Sequence, residues 1–121
     1  MSELVAKAEA VADNAYAPYS NYRVGAVVRT TDGREFAGTN VENAAYPLGV
    51  CAEKSAIVAA AAAGCKPGDL AAIGISASPC GGCRQWLLEW RIPEVSFRRD
   101  DGAVATWTAD DLLPDSWQLP A

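Results

Sequence analysis

Leu70-Ala71-Ala72-Ile73-Gly74-Ile75-Ser76-Ala77-Ser78-Pro79-Cys80-Gly81-Gly82-Cys83 is the stretch that decides how this chain folds. Leu70 to Ser76 is an apolar run of strand length, and beyond Pro79 a helical pattern continues to about Trp90. A buried strand that feeds directly into a helix is a building unit of layered α/β proteins. Cys80 and Cys83 are three residues apart, which predicts thiols on one helix face, with Pro79 suited to the first turn.

Reading outward from this unit extends the pattern in both directions. A second helix is predicted from about Cys51 to Ala63, ended by Gly64. Before it, residues 3–15 carry Leu4, Val5, Ala8, Val11, Ala12 and Ala15 at helical spacing, and the pattern stops ahead of Ala17-Pro18-Tyr19-Ser20. Val24 to Thr31 and Glu35 to Thr39 read as strands joined through an Asp32-Gly33 turn. After Pro93, strands at Val95–Arg99 and Ala103–Trp107 flank an Asp101-Gly102 turn, and Thr108 with Asp111 starts a short last helix that ends at Pro114. The order αββαβαββα predicts an α/β fold, a three-layer αβα sandwich on a five-stranded mixed sheet, in a single domain over residues 1–121.

Composition removes several function classes. The chain has 121 residues, 50% hydrophobic and 21% charged, which is ordinary for a folded domain with a sizeable core. It has no histidine, so Ser-His-Asp, Cys-His and His-ligated metal chemistry are excluded. The net charge of −5 argues against nucleic-acid and anionic-membrane partners. Arg98-Arg99 is followed at once by Asp100-Asp101, a solvated hairpin with no phosphate track. Met1-Ser2-Glu3-Leu4 lacks the basic start of a signal peptide, and the apolar run Ala56 to Ala63 is too short to span a bilayer. The expectation is a cytoplasmic protein whose cysteines are metal ligands or free thiols.

Cys51, Cys80 and Cys83 supply three thiols from two segments, and Glu53 lies two residues beyond the first. A catalytic zinc takes three protein ligands and keeps a fourth position for water, beside which a carboxylate can shuttle protons. Three other readings compete. A closed four-cysteine site requires Cys51 and Cys65 together, yet they flank a helix that would separate them by roughly 20 Å at 1.5 Å per residue. A redox Cys-x-x-Cys leaves Cys51 and Glu53 unexplained. Four unrelated buried cysteines leave the Pro-Cys-x-x-Cys spacing to coincidence. Three thiolates and Zn²⁺ carry a net negative charge, which two helix N-termini offset, with Lys54 and Arg84 as further candidates for tuning it.

Cys51-Ala52-Glu53 with Pro79-Cys80-Gly81-Gly82-Cys83-Arg84-Gln85 resembles the zinc signature of the cytidine deaminases. Tyr16-Ala17-Pro18-Tyr19-Ser20-Asn21-Tyr22-Arg23-Val24-Gly25-Ala26 is similar to that family's N-terminal pocket segment. Asn40-Val41-Glu42-Asn43-Ala44-Ala45-Tyr46-Pro47-Leu48-Gly49 is similar to its ribose-binding segment, and Leu112-Leu113-Pro114 to its C-terminal motif. The resemblance implies one Zn²⁺ per chain on Cys51, Cys80 and Cys83, with Glu53 as general acid/base. It implies hydrolytic deamination of cytidine or deoxycytidine at C4, as in pyrimidine salvage. Asn40 and Glu42 would meet the sugar hydroxyls, the backbone N–H of Ala52 the base carbonyl, and Tyr22 would stand beside the nucleoside. The partners implied are a free nucleoside and, in a homotetramer, further copies of the chain.

Three departures from the family pattern bear on substrate choice. Lys54 stands where small members usually have Arg, the connection from Ile73–Ser76 to Pro79 is short, and Trp117 stands near where the family has a Phe that reaches a neighbouring subunit's pocket. A deaminase of a modified cytosine nucleoside and a non-catalytic zinc-stabilised nucleoside-binding module remain as alternatives.

Overall fold

A computed structural model describes residues 2–117. In chain order it contains α1 (Ser2–Ala12), β1 (Gly25–Thr30), β2 (Glu35–Thr39), a 3₁₀ turn (Tyr46–Leu48), α2 (Ala52–Ala62), β3 (Leu70–Ile75), α3 (Gly81–Glu89), β4 (Val95–Arg98), β5 (Val104–Trp107) and α4 (Ala109–Leu112). The sheet order is β2-β1-β3-β4-β5. β1 runs antiparallel to both β2 and β3, β3 is parallel to β4, and β4 is antiparallel to β5. A parallel pair needs a crossover, and α3 provides it between β3 and β4. The five-stranded mixed sheet matches the expectation from sequence.

Alternation along the strands sorts their side chains between two faces. Val27 and Ala72 pack against Leu4 and Ala8 of α1 on one face. Ala26, Val28, Ile73, Ile75, Val95 and Phe97 meet Ala56, Ile57 and Ala60 of α2, Leu87 of α3 and Leu112 of α4 on the other. These are the three layers. Among the described residues, no helix is long and apolar enough to cross a membrane.

Two helix boundaries differ from the sequence reading. The first helix ends at Ala12, short of residue 15, because the chain turns there and Tyr16 is drawn into a bridge with Val41. The Tyr16 N–H donates to Asn40 O at 3.3 Å, and Tyr16 O accepts from Glu42 N–H at 2.8 Å. Pro79 lies outside α3, not in its first turn. The residue that caps the helix is Cys80, in an extended conformation (φ −71°, ψ 171°), and Cys83 falls within the first turn. The two thiols therefore meet as cap and first-turn residue, not as two positions along one helical stripe. At the other end of the chain, Thr108 caps α4 as predicted, its hydroxyl accepting from Asp111 N–H at 3.0 Å. Arg98 is ion-paired with Glu9 of α1 at 3.1 Å.

Helices lie directly on the sheet at three glycines. A Cβ built on Gly38 of β2 would come within 2.3 Å of Ala56 N in α2. On the other face, one on Gly25 would reach Ala8 O at 2.0 Å, and one on Gly74 would reach the Leu4 carbonyl carbon at 2.4 Å. All of these neighbours are backbone atoms, so relief requires moving a whole helix. Gly38→Ala is therefore expected to lower stability by about 1–3 kcal/mol, the usual cost of overpacking. Gly82→Ala, where nothing lies within 4 Å, is expected to be neutral or slightly stabilising by about 0.4–1 kcal/mol. Urea titration followed by far-UV circular dichroism checks both. A Gly38→Ala midpoint equal to that of the unmodified protein contradicts the close-contact account.

Candidate active site

Two helix N-termini converge on one point. Cys51 caps α2 (φ −79°, ψ 157°) and Cys80 caps α3, so both sit where peptide N–H groups lack intrahelical partners and the helix dipole is positive. The sulfurs of Cys51, Cys80 and Cys83 all lie within 4.8 Å of one another. Cys51 and Cys80 are exposed while Cys83 is buried, which leaves the cluster open on one side. Cys65 lies elsewhere, buried in the core beyond the C-terminal end of α2, with Arg34 Nη2 at 3.9 Å from its sulfur. It takes no part in the cluster.

The donor set fits a soft divalent metal. Burial pushes the Cys83 thiol far up, with the neighbouring Glu53 carboxylate and Cys51 adding to the effect. Burial raises Cys51 too, against a hydrogen bond with Cys83 and with Cys80 and Glu53 working in the same direction as burial. For Cys80 burial also opposes ionisation, yet the N–H of Cys83 and the thiols of Cys83 and Cys51 hold it below the ordinary thiol value. Without a cation, Cys51 and Cys83 are thus held toward their protonated forms. A zinc ion reverses that preference, because its ligands are thiolates and it prefers sulfur donors.

Glu53 occupies the first turn of α2 and is only 4% exposed. Burial pushes its carboxyl above the usual range, against hydrogen bonds from its own backbone N–H and from Cys83 that favour the anion. The result is a carboxyl close to the thiols, shielded from bulk water and able to hold a proton. Ala52, fully buried at the first position of α2, presents one of the unpartnered backbone N–H groups of a helix start.

A cleft of about 440 Å³ opens beside Cys51, lined by Ser20, Asn40, Glu42, Tyr46 and Val50 among others. Asn40 and Glu42 are already bound to protein. The Asn40 side-chain Oδ1 accepts from Val24 N–H at 2.9 Å and its Nδ2 donates to Tyr22 O at 2.8 Å, leaving one further hydrogen-bonding position on each end. Glu42 accepts from Tyr19 N–H at 2.9 Å, from Ser20 N–H at 3.1 Å and from the Ser20 hydroxyl. The Ser20 hydroxyl, aided by the two N–H groups, holds this carboxyl below its ordinary range. Glu42 is thus an ionised acceptor at the cleft wall. Ser20 escaped the sequence reading as a separate residue, although its place before Asn21, a non-glycine residue at φ 58°, marks a tight turn.

The remaining predicted residues do not line this cleft. Tyr22 is exposed and is not part of the cleft lining. Trp117, at the end of the described residues, is 75% exposed. Lys54 sits over the Trp86 ring, with Nζ 5.4 Å from its centroid. Arg84 is bound to the carbonyls of Pro79 and Leu112. A second, more open depression of about 480 Å³ lies near Ser78, Arg84, Trp107 and Asp111, and none of the clustered thiols lines it.

Comparison with known proteins points the same way. Residues 1–99, which include Cys51, Glu53, Cys80 and Cys83, match the family model of the cytidine and deoxycytidylate deaminase zinc-binding region. The chain is 40% identical over 114 residues to the cytidine deaminase of Mycobacterium tuberculosis (strain ATCC 25618 / H37Rv), across 89% of this chain and 82% of that protein. The crystal structure of cytidine deaminase from Burkholderia pseudomallei superposes with a TM-score of 0.89 at 45% identity, covering 96% of this chain and 98% of that one. That of cytidine deaminase from Mycobacterium leprae gives 0.79 at 41% identity, over 94% and 97%. With the thiol triad, the sheet order and these matches in agreement, the chain belongs to the cytidine and deoxycytidylate deaminase family.

Proposed function

We propose that this protein is a zinc-dependent hydrolase that deaminates free cytidine or deoxycytidine to the corresponding uridine, releasing ammonia, as in pyrimidine salvage. The observation that carries the proposal is the cluster of three sulfurs within 4.8 Å, with buried Glu53 beside it and the cleft walled by Asn40 and Glu42 opening onto it. Cys51, Cys80 and Cys83 hold the metal. Zinc, when bound there, supplies the Lewis acidity that makes water a nucleophile near neutral pH. Glu53 takes a proton from the attacking water and delivers it to N3 of the pyrimidine as C4 becomes tetrahedral. It then takes the proton of the new C4 hydroxyl and passes it to the amine, so that the C4–N bond breaks as the carbonyl forms. Water and cytidine are consumed, and uridine and ammonia are formed. The N–H of Ala52 orients the base through its carbonyl. Asn40 and Glu42 bind the sugar hydroxyls, Glu42 as acceptor and Asn40 through its remaining donor and acceptor positions.

The same reading makes residues 1–121 one catalytic domain that works in the cytoplasm as a homotetramer. Tyr16, Tyr19, Tyr22, Tyr46, Leu48 and Trp117 are all more than half exposed. Copies packed around the cleft would bury such side chains, and Tyr22 and Trp117 would then border a nucleoside from positions that one chain alone leaves in solvent.

Ammonia release from cytidine, deoxycytidine, blasticidin S and N4-substituted cytidines tests the activity and the substrate together. No release from any of them refutes the enzyme reading in favour of a zinc-stabilised binding module. Metal content tests the ligand set: Cys65→Ser is expected to keep one zinc per chain and Cys83→Ala to lose it. Zinc lost from Cys65→Ser, as measured by elemental analysis, would overturn the assignment.

Glu53→Gln is expected to keep zinc and fold while losing at least about 10²–10⁴-fold in kcat, the usual contribution of a positioned acid–base group. Turnover close to that of the unmodified enzyme would remove Glu53 from the mechanism. Cytidine monophosphate and single-stranded DNA are expected to be poor substrates, since ionised Glu42 and a net charge of −5 oppose phosphate. Steady-state kcat/KM for each, compared with cytidine, measures this. Equal values would rule out the preference for a free nucleoside.

A further inference from the structure

The three thiols are held in place by different means. Cys51 follows Val50, which is bridged to Val41 by two backbone hydrogen bonds of 2.9 Å, and it starts a helix pressed on the sheet. Cys83 is buried within the first turn of α3. Cys80 has neither support. It is exposed, and the two residues after it, Gly81 and Gly82, have nothing within 4 Å of a built Cβ.

What grips Cys80 is Arg84. Its backbone N–H donates to Cys80 O at 2.9 Å, closing the first turn, and its side-chain Nε–H donates to Pro79 O at 2.9 Å. One residue thereby holds the peptide carbonyls on both sides of the Cys80 α-carbon. The rest of the guanidinium is anchored as well. Nη1 donates to Leu112 O at 3.2 Å, at the C-terminal end of α4 where helix carbonyls lack intrahelical partners, and Nη2 lies 3.4 Å from Ser78 Oγ.

The geometry points to Arg84 as the positioning residue for Cys80. Its planar fork fixes the backbone of a metal ligand by tying the segment before α3 to the end of α4. It acts through the backbone, not by placing a positive charge on the thiolates. The inference rests on the zinc reading of the cluster. Outer groups that orient metal ligands usually influence affinity strongly, and a lysine ammonium cannot reproduce a fork shared between two carbonyls.

Zinc affinity by chelator competition and the absorption spectrum of the cobalt(II)-substituted protein test this on the full chain. Arg84→Gln is expected to weaken metal binding by about 10–100-fold and to alter the cobalt ligand-field bands. Arg84→Lys keeps the charge and loses the fork, so it is expected to weaken binding as well, whereas Ser78→Ala leaves it unchanged. Arg84→Lys with the affinity and cobalt spectrum of the unmodified protein overturns the proposal, and it does so even if Arg84→Gln fails to fold. A lower urea midpoint of the metal-free variants with unchanged affinity and spectrum also overturns it, because the role is then structural alone. An unmodified chain that takes up no zinc overturns the zinc reading itself, and the proposal with it.

Discussion

The site depends on a contact between two backbones. β2 carries a glycine at position 38, so the peptide groups of α2 rest on the sheet without an intervening side chain. Contact this close leaves little freedom in tilt or height for a helix packed against a dense interior. Cys51 and Glu53 stand at the first turn of that same helix. Their place relative to the sheet is therefore set by main-chain packing, before any metal or substrate interaction contributes. α3 approaches from the neighbouring crossover and brings Cys80 and Cys83 to the same point.

Charge then follows from the backbone arrangement. Two helix starts aimed at three sulfurs place partial positive charge where thiolates must form. The chain has no histidine and so no neutral ligand of that kind to lighten the negative charge around a divalent ion. The Lys54 ammonium, one residue beyond Glu53, lies over the Trp86 ring. The peptide dipoles of the two helix starts contribute compensation that does not titrate.

Much of this was legible in the residues. The apolar run at Leu70–Ser76, the other short strand-like segments and the turns at Asp32-Gly33 and Asp101-Gly102 give the strands, because alternation and turn chemistry are local properties. The ligand triad follows from two short motifs whose spacing is tied to helix starts. Less legible were features that depend on distant partners. Helix α1 stops at Ala12 because Tyr16 pairs with Val41, and no nearby residue announces that bridge. Pro79 was expected inside the helix, but the chain stays extended through Cys80. Asn40, Glu42 and Arg84 were read as groups facing a substrate or a metal. Their links to Tyr22, Ser20 and Leu112 join segments far apart in the chain, and spacing carries no trace of those links.

One consequence of mounting Cys51 and Glu53 on a single sheet-bound helix concerns how such a protein can diversify. A clustered thiol and the buried carboxyl two residues beyond it move as one rigid body, so natural variation cannot adjust one without disturbing the other. The cleft wall is different. Tyr19, Ser20, Asn40, Glu42 and Tyr46 come from loops that contribute no thiol to the cluster. Change in those side chains leaves α2 seated on the sheet, so new substrates are most readily reached by drift in residues 16–24 and 42–49, clear of the Val41–Val50 bridge that leads into α2.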